Sequence, residues 1–383
     1  MKIAKVEAIP IRQELDTPFG NGQGWTTSRQ YLIVRLTADD GTVGYGECWG
    51  PTAGNEQVVK DIIAPMLLGQ DPIDSGRLWE QVRFKLRWAY HSFLPYSALS
   101  GVDLALWDLK GKLLDRPVHE LLGGAFHTAV PAYATGHYFR RVQTLDEQIE
   151  VVLAEAAGNL ARGFRRLKLK IGLGLLGWGH EADIELMGAL RAQYPRTPIM
   201  VDANCRYTVP EALKVGRAAQ DLDIEWFEEP LPPTDLDGYV ELAAKLDIPL
   251  AGGESWASLG EFLEVFRRRA IAVAQPDVCS AGGVTEVKRI ADAAHALNIR
   301  CYPHVWGTPI AIAASLQVLA TLPGNVLLEY DQSDNPIRER LVIDPFRLDE
   351  DGAVLVPTTP GLGVTVDEDA LAGFAAGNGG GGS

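Results

Sequence analysis

Apolar and polar positions change period along this chain, and the change divides it. Ile3–Arg12 and Tyr31–Cys48 are strand-rich, and Asp39-Asp40-Gly41 supplies the turn chemistry of a hairpin. Three stretches of helical period follow, near 54–69, 72–87 and 94–116. In the last of them, Tyr96 to Lys110 repeats its apolar residues at helical intervals. Residues 1–125 are therefore expected to form a small α+β domain.

Beyond that point the pattern becomes a regular alternation. Short apolar runs at 131–135, 165–171, 198–202, 224–228, 249–254, 272–277, 300–305 and 326–330 read as strands. Most of the gaps between them carry a helical stripe, as in Val284–Leu297. Strands alternating with helices predict an α/β domain over 126–339, a TIM-type (β/α) barrel. Periodicity alone leaves an open, doubly wound sheet as the alternative. Residues 340–374 hold short strand-like pieces expected to return to the first domain. Residues 375–383, ending in Gly379 to Gly382 and Ser383, read as a linker-like tail.

Composition narrows the partners. With 50 acidic against 35 basic residues the formal charge is −15, which offers no general attraction to nucleic acid or an anionic membrane. The four cysteines, Cys48, Cys205, Cys279 and Cys301, have no C-x-x-C spacing. Zinc and a disulfide framework are not expected, and a cytoplasmic setting is. The first residues lack the apolar core of a signal peptide, and no apolar run approaches the roughly 20 residues of a membrane span.

Three of the strands end in carboxylates: Asp202, Glu228 and Glu254, evenly spaced at intervals of 26 residues. That interval suits one βα unit, so consecutive parallel strands would bring the three to one rim. Mutual repulsion there is relieved by a hard divalent cation such as Mg²⁺, which favours carboxylate ligands. Other strand ends add Lys168 and Lys170, Asp277, His304 and Glu329. The two lysines share one face of their strand, and mutual repulsion is expected to depress the pKa of one of them toward that of a general base. Asp277 beside His304 would fix the imidazole tautomer and raise its basicity. Glu329 fits either a salt bridge within the barrel or a protonated acid that donates to an oxyanion. Asn204 fits a substrate contact or a helix cap. Gly172, Gly174 and Gly177 match G-x-G-x-x-G after a strand, but mid-chain and behind two lysines they read as a flexible active-site loop rather than a nucleotide cradle.

Lys168-Leu169-Lys170, Val201-Asp202-Ala203-Asn204, Glu228-Glu229-Pro230, Gly252-Gly253-Glu254, Asp277 with Gly282-Gly283 after it, and His304 together resemble the enolase superfamily, in its mandelate racemase subgroup. The framework segments are similar to those of lactone cycloisomerases of acid sugars. The resemblance implies a modified (β/α)₇β barrel under an α+β capping domain, with Mg²⁺ on Asp202, Glu228 and Glu254. It implies removal of the proton α to the carboxylate of a small-molecule substrate. Lys170 would be one base, steered by Lys168, and His304, held by Asp277, the second acid/base. Elimination from an acid sugar or its lactone is the expected outcome, with racemisation of a 2-hydroxy acid as the alternative. A catalytically silent small-acid binder is the alternative of another class. The family's closing loops correspond to 17–27 and 48–54, which bring Trp25 and Trp49 toward the substrate. Arg29 is the candidate to clamp a second carboxylate. A homo-oligomer is also implied.

Overall fold

The computed structural model describes residues 1–91 and 94–376. The amino-terminal sheet is antiparallel, β1 (Ile3–Gly20), β2 (Trp25–Ala38) and β3 (Val43–Cys48), in that order. The turn at Asp39–Thr42 forms as its residues dictate. Gly41 takes a positive φ, and the Asp40 carboxylate accepts the Thr42 amide at 2.9 Å. β1 and β2 outrun expectation. Asp16, Thr17 and Pro18 break the alternation, yet the strand resumes after a register shift between Glu14 and Phe19. The segment 17–27 is thus mostly hairpin arm, and its tip is Asn21–Gly24, where the Asn21 side chain accepts the Gln23 amide at 2.9 Å.

Helices over Thr52–Leu67 (with a π-turn at Val59–Ile63), Ser75–Tyr90 and Tyr96–Leu113 pack on this sheet. The last lies so close that Gly46 has no room for a side chain: a Cβ there would stand 1.9 Å from the Gly101 carbonyl oxygen. Backbone cannot yield as a flexible side chain can. Gly46→Ala is expected to destabilise the protein by about 3 kcal/mol, read from denaturant unfolding.

Eight parallel strands follow: β4 (Ala129–Gly136), β5 (Leu167–Lys170), β6 (Ile199–Asp202), β7 (Phe227–Glu228), β8 (Leu250–Gly252), β9 (Val273–Ala274), β10 (Arg300–Cys301) and β11 (Leu328–Asp331). From β4 to β10 each pairs with the next, and β11 returns to pair with β4. That circuit has no reversal of strand order and excludes the doubly wound alternative. Among the described residues no ladder joins β10 to β11, so the sheet curls around without hydrogen-bonded closure at that seam. Tyr133, Met200, Trp226, Ala251, Val273, Tyr302 and Leu327 form a buried layer beneath the strand ends. The interior is filled there, and chemistry is left to the carboxyl-terminal rim.

The carboxyl-terminal segment touches both units. β12 (Ala353–Leu355) pairs antiparallel with β4, while the Leu362 amide donates to Asp108 at 2.8 Å and Glu368 pairs with Arg35 at 2.9 Å. The final helix is Glu368–Ala376, and the rest of the expected tail, 377–383, lies outside the described residues.

A second tie was not legible in the sequence. Glu47 of β3 is fully buried and accepts the Thr308 amide at 3.0 Å and its hydroxyl at 2.7 Å, at the start of helix Pro309–Ala320. Burial pushes its carboxyl up to about 7, against the lowering effect of the Thr308 donors. The folded state therefore holds this proton more tightly than the unfolded chain. Its stabilising effect is complete below the ordinary carboxyl value and is lost as pH rises through about 7, a loss of about 3 kcal/mol. Glu47→Gln carries no such proton. Denaturant unfolding at pH 5 and pH 8 is expected to show the variant gaining stability relative to the parent as pH rises.

Candidate metal centre and active site

Each strand end delivers its side chain to the same rim. β6, β7 and the turn after β8 present Asp202, Glu228 and Glu254, with one carboxylate oxygen from each lying within 4.8 Å of the others. Asp202 and Glu228 are buried and Glu254 is nearly so. Three carboxylates this close form a donor set for a hard divalent cation. The hydrogen bonding points the same way. Glu228 Oε2 accepts from Gln275 Nε2 at 2.6 Å and from Trp226 Nε1 at 3.0 Å, which aims its other oxygen. Glu254 Oε2 is buried with no aligned hydrogen bond, only His304 Nε2 at 3.2 Å, and Asn204 Oδ1 next to Asp202 has no partner. Buried oxygens are rarely left so without a ligand to receive.

The basic groups flank this cluster. β5 is a buried strand whose Leu169 faces the helical layer, so Lys168 and Lys170 point inward. Lys168 lies deeper, 2.5 Å from Glu228 Oε1 and 2.7 Å from Glu329 Oε1. Lys170 pairs with Asp202 Oδ2 and lies over the ring of Tyr138 at 5.5 Å. At the other end His304 Nδ1 stands 2.6 Å from Asp277 Oδ2, and Nε2 stands 3.2 Å from Glu254 Oε2. Trp49 meets the imidazole edge-on at 5.4 Å. Asp202 thus leads to Lys170, and Glu254 to His304.

Among the protein's own charges, the carboxylates decide the protonation of these bases. Burial opposes the ammonium of Lys170 most strongly, and Lys168 does too, but Asp202, Tyr138 and Glu254 together outweigh them and hold its pKa above the ordinary lysine range. The depression expected from two neighbouring lysines is not the net effect, because each is paired with a carboxylate, Lys168 with Glu228 and Glu329 and Lys170 with Asp202. His304 is likewise raised to about 10: burial opposes the charge, and Glu254, Glu329 and Asp277 favour it. Glu329 is lowered despite its burial, chiefly by Lys168. It also accepts the Val305 amide at 3.1 Å. Of the two readings of Glu329, the salt bridge is present in this geometry, through Lys168.

A cavity of about 280 Å³ opens onto the cluster, lined by Lys170, His304, Glu254 and Asn204 below and by the β1–β2 tip, Trp25 and Trp49 above. Arg29 does not reach it. Its guanidinium is buried 2.6 Å from Asp331 Oδ2 and 3.9 Å over the ring of Trp306. Tyr138 and Trp306 also line the cavity, joined by a 2.7 Å hydrogen bond, and were missed by a search for charged strand ends. Glu229 was missed as well. It is buried, accepts from Ser255 at 2.7 Å, and is pushed well up by burial and by Glu254. Its signal was the Glu228-Glu229 doublet itself.

The glycine-rich loop is no phosphate cradle. The amides of Gly172 and Leu173, which an anion would need, already donate to Asp183 at 2.8 and 3.0 Å. Leu173–Leu176 then forms a 3₁₀ turn. A titration with NADH is expected to leave nucleotide fluorescence unchanged.

Comparison with known proteins agrees with this geometry. The family model for the mandelate racemase / muconate lactonizing enzyme N-terminal domain matches residues 5–123, and that for the enolase C-terminal domain-like fold matches 151–370. The chain is 38% identical over 383 residues to D-galactarolactone cycloisomerase of Agrobacterium fabrum, covering 98% of this chain and 99% of that one. Arabinonate dehydratase of Saccharolobus solfataricus is 33% identical, with 88% of each covered. Among solved structures, the 3,6-anhydro-D-galactonate cycloisomerase from Zobellia galactanivorans superposes with a TM-score of 0.86 at 38% identity, covering 98% of this chain and 99% of that one. A racemase from Streptomyces coelicolor A3(2) with bound magnesium gives 0.87 at 28% identity, covering 97% and 99%. No helix among the described residues is long and apolar enough to cross a membrane.

Proposed function

Because this chain belongs to the enolase superfamily, in its mandelate racemase/muconate lactonizing enzyme group, we propose that it removes the proton α to a carboxylate and completes a β-elimination from an acid sugar or its lactone. The observation that carries this is a cluster of three carboxylates with a basic group at each end, Lys170 and His304, both facing one cavity. The relatives named above as a cycloisomerase and a dehydratase support elimination as the outcome.

Asp202, Glu228 and Glu254 would hold Mg²⁺, and the magnesium in the Streptomyces coelicolor racemase supports that choice. When bound, the ion supplies positive charge against the negative charge that proton loss builds on the substrate carboxylate. An Asp202 carboxylate offset by the cation it holds favours the Lys170 ammonium less, and the neutral Lys170 Nζ takes the α-proton. Lys168 steers the carboxylate and disfavours a second ammonium beside it, and Glu329 holds Lys168 in place. His304, oriented through Nδ1 by Asp277, offers a proton from Nε2 to the departing β-oxygen. Asn204 binds a substrate hydroxyl, and Trp25 and Trp49 wall the cavity. The protein acts as a homo-oligomer.

A base on each flank also suits racemisation, in which His304 would return the proton to carbon from the face opposite Lys170. A silent binding protein would need neither base. Proton NMR in D₂O with Mg²⁺, over aldonates, aldarates, their lactones and 2-hydroxy acids, separates these. A 3-deoxy-2-keto product or an opened lactone is expected. Deuterium at the α-carbon with inversion and no elimination would make it a racemase. Tight binding with neither outcome would sink the proposal.

A further inference from the structure

We infer that the acid taken into this cavity carries one carboxylate and an uncharged, hydroxylated remainder. The inference rests on the proton-abstraction reading and narrows its substrate class.

Charge in the cavity is confined to one end. Among the described residues that line it, Lys170 and His304 are the only cationic groups, and both sit against the carboxylate cluster. Away from the cluster the lining is neutral: Asn21 and Gln23 from the hairpin tip, Thr26 from β2, and the indoles of Trp25, Trp49 and Trp306. A second carboxylate pressed against these groups would lose hydration and gain no ion pair. Hydroxyls would instead meet amide and hydroxyl partners, and the C–H faces of a sugar ring suit indole surfaces.

The nearby arginines do not alter this. Arg29 donates through Nη2 to Asp331 and Ser333 and stacks on Trp306, and it is not part of the cavity lining. Arg141 rests at 5.1 Å on the Trp25 ring and is exposed, outside the cavity lining. The volume, about 280 Å³, falls just below the roughly 300–1,000 Å³ of drug-sized pockets and suits a small acid.

The test pairs monocarboxylates (aldonates and aldaro-monolactones) with aldarates of equal chain length. Turnover and α-deuterium exchange are measured on the Mg²⁺-loaded enzyme, and calorimetric binding on Lys170→Ala. The monocarboxylate series is expected to lead in kcat/KM by about 100-fold, with binding in the same order. Gln23→Arg, at an exposed tip position, is expected to shift the ratio toward aldarates by about 10-fold, whereas Arg141→Ala leaves it unchanged. Equal or faster reaction of aldarates overturns the inference while leaving proton abstraction standing. A ratio that Gln23→Arg does not move, or that Arg141→Ala reverses, overturns the assignment of a neutral distal end. Exchange with neither series overturns the proton-abstraction reading, and this inference with it.

Discussion

Lys170→Ala is expected to lower α-proton exchange by roughly 10³-fold or more, near the upper part of what one positioned base contributes. The fold should survive the change. Asp202 loses its partner Lys170 but keeps the Asn204 amide at 2.8 Å and Lys168 at 3.8 Å. Circular dichroism and thermal unfolding would establish that the loss is chemical. His304→Asn supplies the complementary result. If His304 serves the departing oxygen, the variant still exchanges deuterium at the α-carbon, because Lys170 is intact, but forms product at least about 100-fold more slowly. The reverse pattern, with exchange lost in His304→Asn and kept in Lys170→Ala, would interchange the two roles. One NMR time course per variant in D₂O decides between them.

Glu254→Gln is expected to weaken Mg²⁺ binding by about 100-fold or more and to abolish turnover at ordinary metal concentrations. Glu254 is the informative ligand to change because its other commitments are few. Glu228 also holds Lys168, Gln275 and Trp226, so its loss would leave buried groups unpaired at a cost of about 3–5 kcal/mol. Glu254 Oε2 faces only His304 Nε2, at 3.2 Å, and makes no other polar contact. Calorimetric titration with Mg²⁺ reads the affinity directly, and unfolding midpoints should remain close to the parent's in chelator. A midpoint that collapses in chelator would mean that Glu254 serves the fold instead. In the parent enzyme, chelation should abolish activity and Mg²⁺ should restore it.

How much of this was legible before folding depended on the kind of signal. The eight barrel strands each overlap an expected apolar run, because a strand buried on both faces is written as consecutive apolar residues. The carboxylates, lysines and His304 were legible because the barrel's chemistry sits at strand ends, and strand ends can be located in a sequence. The β1–β2 arms were not, since Asp16-Thr17-Pro18 reads as a break and only pairing across the hairpin carries the strand past it. Glu47 gave no signal either. One acid in a capping strand becomes special only when Thr308, 261 residues away, meets it.

The sequence by itself determined the strand–helix circuit, the evenly spaced carboxylates and the lysine pair, since all of these are local period and local chemistry. Tertiary structure alone decided what the charges do to one another. Arg29 is an ordinary arginine in the sequence and became a buried prop for Trp306 through Asp331. Lys170 was expected to be depressed by its neighbour and is raised, because Asp202 from the next strand pairs with it and acts on it more strongly than Lys168. Electrostatic energy falls with separation, and separation between residues distant in the chain is fixed only when the barrel curls.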